Sequence, residues 1–265
     1  MTDLLVAALL GIMQGVTEFL PISSTAHLIV AEKVFKLDPE RFGLAFDVAL
    51  HMGTLLAVLL YFTTTWWTIA RDVLAGRWRV PALLAAGTVP AVVAGVLLQS
   101  LVERELRDIR IIAATLAGVS LLFYVAERRA ARGVGREQVG WTDAIVMGLA
   151  QAIALIPGVS RSGITITGGL VRGLARHEAT RFSFLLSTPI IAGAGTKTLL
   201  DAGRAAELFA RPEVTLTGFA FSFAAGIASV AFLMRFLRGH SLNWFIPYRL
   251  LLAAVLLVAA VLGIA

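Results

Sequence analysis

The sequence predicts an all-α polytopic membrane protein with an inverted-topology repeat, each half one re-entrant helical hairpin followed by three transmembrane helices. Three observations carry this expectation. The 265 residues are 58% hydrophobic and only 15% charged, with a mean hydropathy of +0.84, far more apolar than one soluble core requires. Apolar stretches near the roughly 20 residues that span a bilayer recur along the whole chain. Two further stretches are too polar at their midpoints for lipid, and they resemble each other.

Six stretches read as full crossings: Leu44 to Trp66, Pro81 to Leu98, Arg110 to Tyr124, Phe182 to Leu200, Val214 to Met234 and Phe245 to Ala265. Ahead of the first three stands Thr2 to Val30, interrupted by Gln14, Glu18, Pro21 and the run Ser23-Ser24-Thr25. Ahead of the last three stands Trp141 to Val171, interrupted by Gln151, Pro157, Ser160, Arg161 and Ser162. Such segments are tolerated at membrane depth only where protein or a watery cavity covers them, as re-entrant or broken helices. A shift of 137 residues places Gly11 on Gly148, Gln14 on Gln151, Ser23 on Ser160, Ser24 on Arg161 and Thr25 on Ser162, with Pro21 and Pro157 one position out of register. Three spans per half force the second half to insert inverted relative to the first, so that the two re-entrant tips meet near the midplane. The chain therefore reads as one integral membrane domain, 1–265, with repeat 1 over about 1–126 and repeat 2 over about 141–265.

Loops 67–80, 127–140, 171–181 and 235–244 hold 12 Lys/Arg, against 8 in loops 31–43, 99–110 and 201–213. By the positive-inside rule this puts the mouth of the first re-entrant element and both termini on the outer face. A net charge of +6 suggests nucleic acid in a soluble protein. Here the arginines flank apolar spans, where they orient the chain and meet anionic headgroups, so nucleic acid is not an expected partner. Trp66, Trp67, Trp78 and Trp141 fall near span ends, as an interfacial aromatic belt does. The absence of cysteine excludes disulfides, thiolate metal sites and cysteine nucleophiles. Met1-Thr2-Asp3 carries no basic segment and no cleavage pattern follows, so the first apolar stretch is expected to remain in the mature protein.

The chemistry sits in the two polar segments. Gln14 and Glu18 are four residues apart and share a helix face. An intramembrane carboxylate is costly and marks a pathway, a site or a buried pair, and oxygen ligands of this kind suit Mg²⁺ or Ca²⁺. Pro21-Ile22-Ser23-Ser24-Thr25-Ala26-His27 reads either as helix punctuation or as a nucleophile with a base, because His27 follows Ser24 by three residues and shares its face. His51 and His240 read as interhelical hydrogen bonders. Pro157-Gly158-Val159-Ser160-Arg161-Ser162-Gly163 combines a tight turn, hydroxyls and a guanidinium placed too deep to snorkel. That arrangement wants an anion, since the Arg fork matches phosphate and a helix N-terminus adds free N–H groups. Tyr248 and Arg249 in the last span either support this site or pack.

The segments Gly11 to His27, GIMQGVTEFLPISSTAH, and Pro157 to Gly163, PGVSRSG, resemble the two signature motifs of bacterial undecaprenyl-diphosphate phosphatases of the bacitracin-resistance type. The resemblance extends to chain length, motif spacing, the run Phe182 to Leu186 and the surroundings of Arg249. It implies hydrolysis of undecaprenyl diphosphate to undecaprenyl phosphate and inorganic phosphate in the bacterial inner membrane, recycling the carrier for the cell wall. The outward mouth of the first element makes the site accessible from the periplasmic face, and the expected partners are the bilayer, the polyprenyl diphosphate and a second copy of the chain in a homodimer, an oligomeric state that the sequence itself leaves open.

Carried onto this sequence, the resemblance makes Gln14 and Glu18 the metal or water-ordering site, for Mg²⁺ or Ca²⁺. Ser24 or His27 becomes the centre of attack, Arg161 the transition-state clamp, and Ser23, Thr25, Ser160, Ser162 and Thr165 the phosphate ligands. Gln14 stands where the family also allows Glu, which leaves one charge fewer for a metal. Attack by Ser24 with His27 as base, a phosphohistidine at His27 and direct attack by water all remain open. The alternative function is a lipid-diphosphate flippase or secondary transporter, which shares the inverted-repeat architecture but needs no nucleophile.

Overall fold

The computed structural model describes residues 2–131, 133 and 135–263. Met1, Arg132 in one counted loop, and Ile264 and Ala265 at the end of the last predicted span lie outside them. Among the described residues the chain is helical with no strand, apart from an isolated bridge between Arg136 and Leu174. The first part comprises α1 (Asp3–Phe19), α2 (Ser24–Val34), α3 (Pro39–Phe42), α4 (Leu44–Tyr61), α5 (Thr63–Leu74), α6 (Arg79–Leu97), α7 (Gln99–Arg104) and α8 (Ile109–Ala130). The second comprises α9 (Trp141–Ile153), α10 (Arg161–Val171), α11 (Arg176–Leu200), α12 (Ala202–Ala210), α13 (Pro212–Phe236) and α14 (Ile246–Val261).

Each polar segment is a pair of short helices joined by a turn. Leu20 leaves α1 extended, at φ −65° and ψ 140°, because a residue preceding proline is driven out of the helical region. The second helix of each pair starts after a serine in a left-handed conformation: Ser23 at φ 74°, ψ 93° and Ser160 at φ 74°, ψ 108°. Positive φ is uncommon for a residue with a side chain. Its recurrence at positions 137 apart gives the sequence correspondence a backbone counterpart.

Five stretches have the length and apolarity to cross a membrane: Pro39–Tyr61, Arg79–Leu97, Ile109–Ala130, Pro212–Phe236 and Leu242–Val261. They correspond to five of the six predicted crossings. The sixth, Phe182 to Leu200, forms the greater part of the 25-residue α11. That helix is long enough, but Ser183, Ser187, Thr188, Thr196, Lys197 and Thr198 dilute its hydropathy. The first predicted crossing also ends earlier than expected, breaking at Phe62. Beyond the break, α5 buries no side chain, which the apolar reading through Trp66 did not anticipate. Trp67, Trp78 and Trp141 are exposed, as belt residues are.

Small residues let the helices approach closely. In α1, Gly11 and Gly15 face Gly218, Ser222 and Gly226 of α13, and a Cβ at position 15 would lie 2.5 Å from the Ser222 carbonyl oxygen. In α9, Gly148 sits against Gly87 of α6, where a Cβ would lie 2.4 Å from the Gly87 oxygen. Four-residue spacing of small side chains is the usual means of close helix packing in lipid. Each pair's first helix thus packs on a long helix of the other part, while α4 also contacts α11 and α13, and α8 packs along α14.

Candidate active site

The two turns are joined to each other. The Gly158 amide donates to Ser23 Oγ at 3.2 Å, and Ser162 Oγ donates to the Leu20 oxygen at 3.3 Å. Arg249 of α14, fully buried, fastens both from behind. Its Nη1 donates to the Pro21 oxygen at 3.1 Å and its Nη2 to the Gly158 oxygen at 3.0 Å. Further bonds reach the Leu116 oxygen, the Val159 oxygen and Ser120 Oγ, with the guanidinium carbon 4.9 Å from the Phe123 ring centroid. A buried cation needs every donor answered, and here carbonyl dipoles answer it.

In front of the turns lies Glu18, 5% exposed at its side chain. Arg161 Nη2 donates to Glu18 Oε1 at 2.6 Å. Glu18 Oε2 accepts from Ser24 Oγ at 2.6 Å and from Gln14 Nε2 at 3.1 Å, and His51 Nε2 lies 3.5 Å from it. Two buried donor or acceptor atoms at this centre have no partner among the described residues, Arg161 Nη1 and Gln14 Oε1. The first helical N–H groups of α2 and α10 carry no intrahelical bond, so two positive helix ends start at the same place.

A cavity of about 220 Å³ opens over this centre, lined by Glu18, Ser23, Ser24, Thr25, His51, Ser160 and Arg161 on its polar side. Its remaining wall is apolar, with Val48, Ile156 and Ile190 among the lining residues. Six of the residues singled out from the sequence therefore face one space. Gln14 stands behind Glu18. Ser162 and Thr165 do not line the cavity: Ser162 Oγ is turned to Leu20 and Ser160, and Thr165 Oγ1 is bonded to the Arg161 oxygen and to Ser183 Oγ at 2.6 Å. In this structure the Thr165 hydroxyl is held by backbone one turn away and the Ser162 hydroxyl by the neighbouring turn.

The expected contact between His27 and Ser24 is also absent. His27 Nδ1 donates to the Ser23 oxygen at 2.7 Å, its Nε2 meets the Tyr248 hydroxyl at 2.6 Å, and Ser24 turns to Glu18. Two residues at the centre escaped the sequence reading. From the sequence His51 reads as an interhelical hydrogen bonder, although an ionisable group inside an apolar span is the same signal that singles out Glu18. The sequence leaves Arg249 between two roles, since the carbonyls it meets are distant along the chain.

A protein-family model described as bacitracin resistance protein BacA matches residues 7–255. Full-length relatives agree. A protein of Rubrobacter xylanophilus named undecaprenyl-diphosphatase is 45% identical, with 99% of each chain covered. Proteins of the same name from Chlorobium limicola and Thermodesulfovibrio yellowstonii are 41% and 42% identical, covering 98% and 97% of each chain. This matched length takes in both turns, Glu18, Arg161 and Arg249, and the chain belongs to the bacitracin resistance protein BacA family.

Proposed function

We propose that the chain is an undecaprenyl-diphosphatase, removing the terminal phosphate of a polyprenyl diphosphate within the bilayer. The observation that carries this reading is Arg161. Its side chain lines the cavity, one nitrogen of its fork holds Glu18, and the other is buried without a partner among the described residues. A guanidinium so disposed answers a phosphoryl group. Two helix N-termini beside it suit an anion further, and the apolar wall suits the first part of a prenyl chain.

Phosphoryl transfer requires positioning and charge neutralisation on the transferring group more than covalent chemistry. Arg161 and the helix ends neutralise the distal phosphate. Ser24, its hydroxyl held by Glu18, attacks the phosphorus, the bond to the bridging oxygen breaks, and the electron pair leaves on the lipid monophosphate. Water then cleaves the phosphoserine to inorganic phosphate and restores the hydroxyl. Ser23, Thr25 and Ser160 supply further donors at the rim.

A divalent cation fits this donor set, because Gln14, whose amide nitrogen bonds Glu18, keeps a buried Oε1 without a partner among the described residues. Mg²⁺ or Ca²⁺ held by these two residues would add positive charge next to the diphosphate. Its ligand set includes only one carboxylate, and no cluster of three His, Asp or Glu occurs among the described residues.

The architecture belongs to the same proposal. The first helices of the two short pairs pack on long helices of opposite parts, and Ser23 and Ser160 share a backbone conformation. Both features support two inverted repeats, about 1–126 and 141–265, whose re-entrant tips meet at the site. The loop count of 12 Lys/Arg against 8 supports an inner-membrane orientation with the cavity open to the periplasmic face.

The test is phosphate release from undecaprenyl diphosphate by the purified protein in nanodiscs, with and without chelator. Release that Arg161→Ala abolishes is expected, with loss on chelation reversed by Mg²⁺ or Ca²⁺. Absence of release from folded wild-type protein refutes the reading and turns the question to movement of the lipid between leaflets. A trapped phosphate found on neither Ser24 nor His27 replaces serine attack by direct attack of water.

A further inference from the structure

We propose that Tyr248 and His27 form a strut that holds the first turn in its left-handed conformation, so that His27 is a positioning residue and not the centre of attack. The inference rests on the phosphatase reading and deepens it. His27 does not line the cavity, and both of its ring nitrogens are engaged elsewhere. Nδ1 lies 2.7 Å from the Ser23 carbonyl oxygen. A carbonyl only accepts, so Nδ1 carries the hydrogen, and Nε2 of the neutral ring accepts from the Tyr248 hydroxyl at 2.6 Å.

The second turn serves as an internal comparison. Ser23 and Ser160 share a φ of 74°, a conformation that persists only where the surroundings hold it. Ser160 is held within its own helix: its Oγ accepts from the Gly163 amide at 3.3 Å, and its carbonyl accepts from the Ile164 amide at 2.9 Å. Ser23 is less well held by its own helix. Its side chain makes no cap bond, being turned to the Gly158 amide at 3.2 Å, and the matching backbone bond from the His27 amide is 3.3 Å long. The His27 ring restores a short bond to the same carbonyl. The shift of 137 residues sets Ile164 against His27, so of the two turns the imidazole stands in the one whose serine has given up its cap.

What the strut positions is the attacking oxygen. Ser24 follows Ser23 directly, and rotation about the Ser23 backbone carries Ser24 Oγ away from its 2.6 Å contact with Glu18. The same rotation takes Ser23 Oγ from the Gly158 amide, one of the bonds that join the turns. Two successive residues of α14 thereby hold the first turn. Arg249 grips the Pro21 oxygen directly at 3.1 Å, and Tyr248 reaches the Ser23 oxygen through the imidazole.

The experiment measures kcat and KM for phosphate release from undecaprenyl diphosphate by the wild type, His27→Ala, His27→Asn, His27→Gln and Tyr248→Phe in nanodiscs, with thermal midpoints on the same preparations. The carboxamide nitrogen of Asn stands near the place of Nδ1 and that of Gln near Nε2. Asn therefore keeps a donor for the Ser23 oxygen, while neither amide offers a nitrogen that takes up a proton or a phosphoryl group. In His27→Ala, kcat is expected to fall about a hundredfold, the cost of a reacting group displaced by about 1 Å, with KM within about threefold of the wild type. His27→Asn is expected to recover kcat to within about tenfold of the wild type, His27→Gln to stay near His27→Ala, and Tyr248→Phe to fall between. A folded His27→Asn protein as slow as about a hundredth of the wild type, a phosphate trapped on His27, or wild-type kcat in Tyr248→Phe overturns the inference and leaves the phosphatase reading in place. A folded wild type that releases no phosphate overturns both.

Discussion

Replacing Arg249 tests whether the site depends on a residue that touches no substrate. Arg249→Met keeps a long apolar side chain against Phe123 and removes the fork that joins Pro21 of the first turn to Gly158 of the second. Hydrogen bonds to a charged group contribute about 1.5–3 kcal/mol each, so losing one to each turn weakens their docking by roughly 3–6 kcal/mol. At about 1.4 kcal/mol per tenfold in rate, kcat is expected to fall by at least about a hundredfold. Stability responds differently, because removing a buried cation also removes its desolvation cost. The thermal midpoint in detergent is therefore expected to drop far less than the lost bonds alone imply. Arg249→Lys keeps the charge but offers a compact ammonium in place of the planar fork, and it is expected to recover little. Phosphate release and thermal unfolding, measured on the same preparations, decide the matter. Turnover within threefold of the wild type in Arg249→Met refutes the argument that this residue holds the turns in register.

Three other outcomes are expected. Arg161→Lys should fail to rescue the loss in Arg161→Ala, estimated at about 10²–10³ in kcat, since one nitrogen must hold Glu18 while another meets phosphate; a lysine variant with near-normal kcat contradicts this. Asp143→Asn removes a buried carboxylate that takes two bonds from Arg136 and one from Arg172. Those arginines are well exposed, so the expected cost is only about 1–2 kcal/mol, seen as a thermal midpoint a few degrees lower with kcat unchanged. Gln151→Leu should raise that midpoint, because both amide atoms of Gln151 are buried without a partner among the described residues and an apolar side chain carries no such desolvation cost; a lower midpoint points to a partner for the amide.

Long-range pairing is what a linear reading sees least. The apolar spans, both polar segments, Glu18 and Arg161 were legible because a charge among apolar residues stands out locally. So was the correspondence of Ser23 with Ser160, since it needs only the shift of 137 residues. His51 was not placed, because its connection to Glu18 crosses from α4 to α1 and no spacing within either helix reports it. His27 was paired with Ser24 on helical spacing alone, yet Ser23 and Tyr248 take both ring nitrogens and Glu18 takes the serine. The helix α5 was read as span end and loop, since an amphipathic helix with no buried side chain has no membrane-crossing signature.

The two turns also explain how near-equivalent segments supply unlike halves of one reaction. A left-handed serine starts a helix in each, so the positive end of the helix is a property of the backbone and recurs with it. The next residue is Ser24 in one copy and Arg161 in the other. One helix end therefore carries a hydroxyl and the other a cation. The same shift sets Glu18 against Leu155 and His51 against Thr188, so the ionisable partners of the serine come from the first part of the chain alone. A phosphoryl group in flight needs this inequality, with proton-accepting groups behind the attacking oxygen and positive charge around the equatorial oxygens. A copy of Arg161 at position 24 would remove the hydroxyl that Glu18 holds, and a copy of Ser24 at position 161 would leave Glu18 without its guanidinium partner.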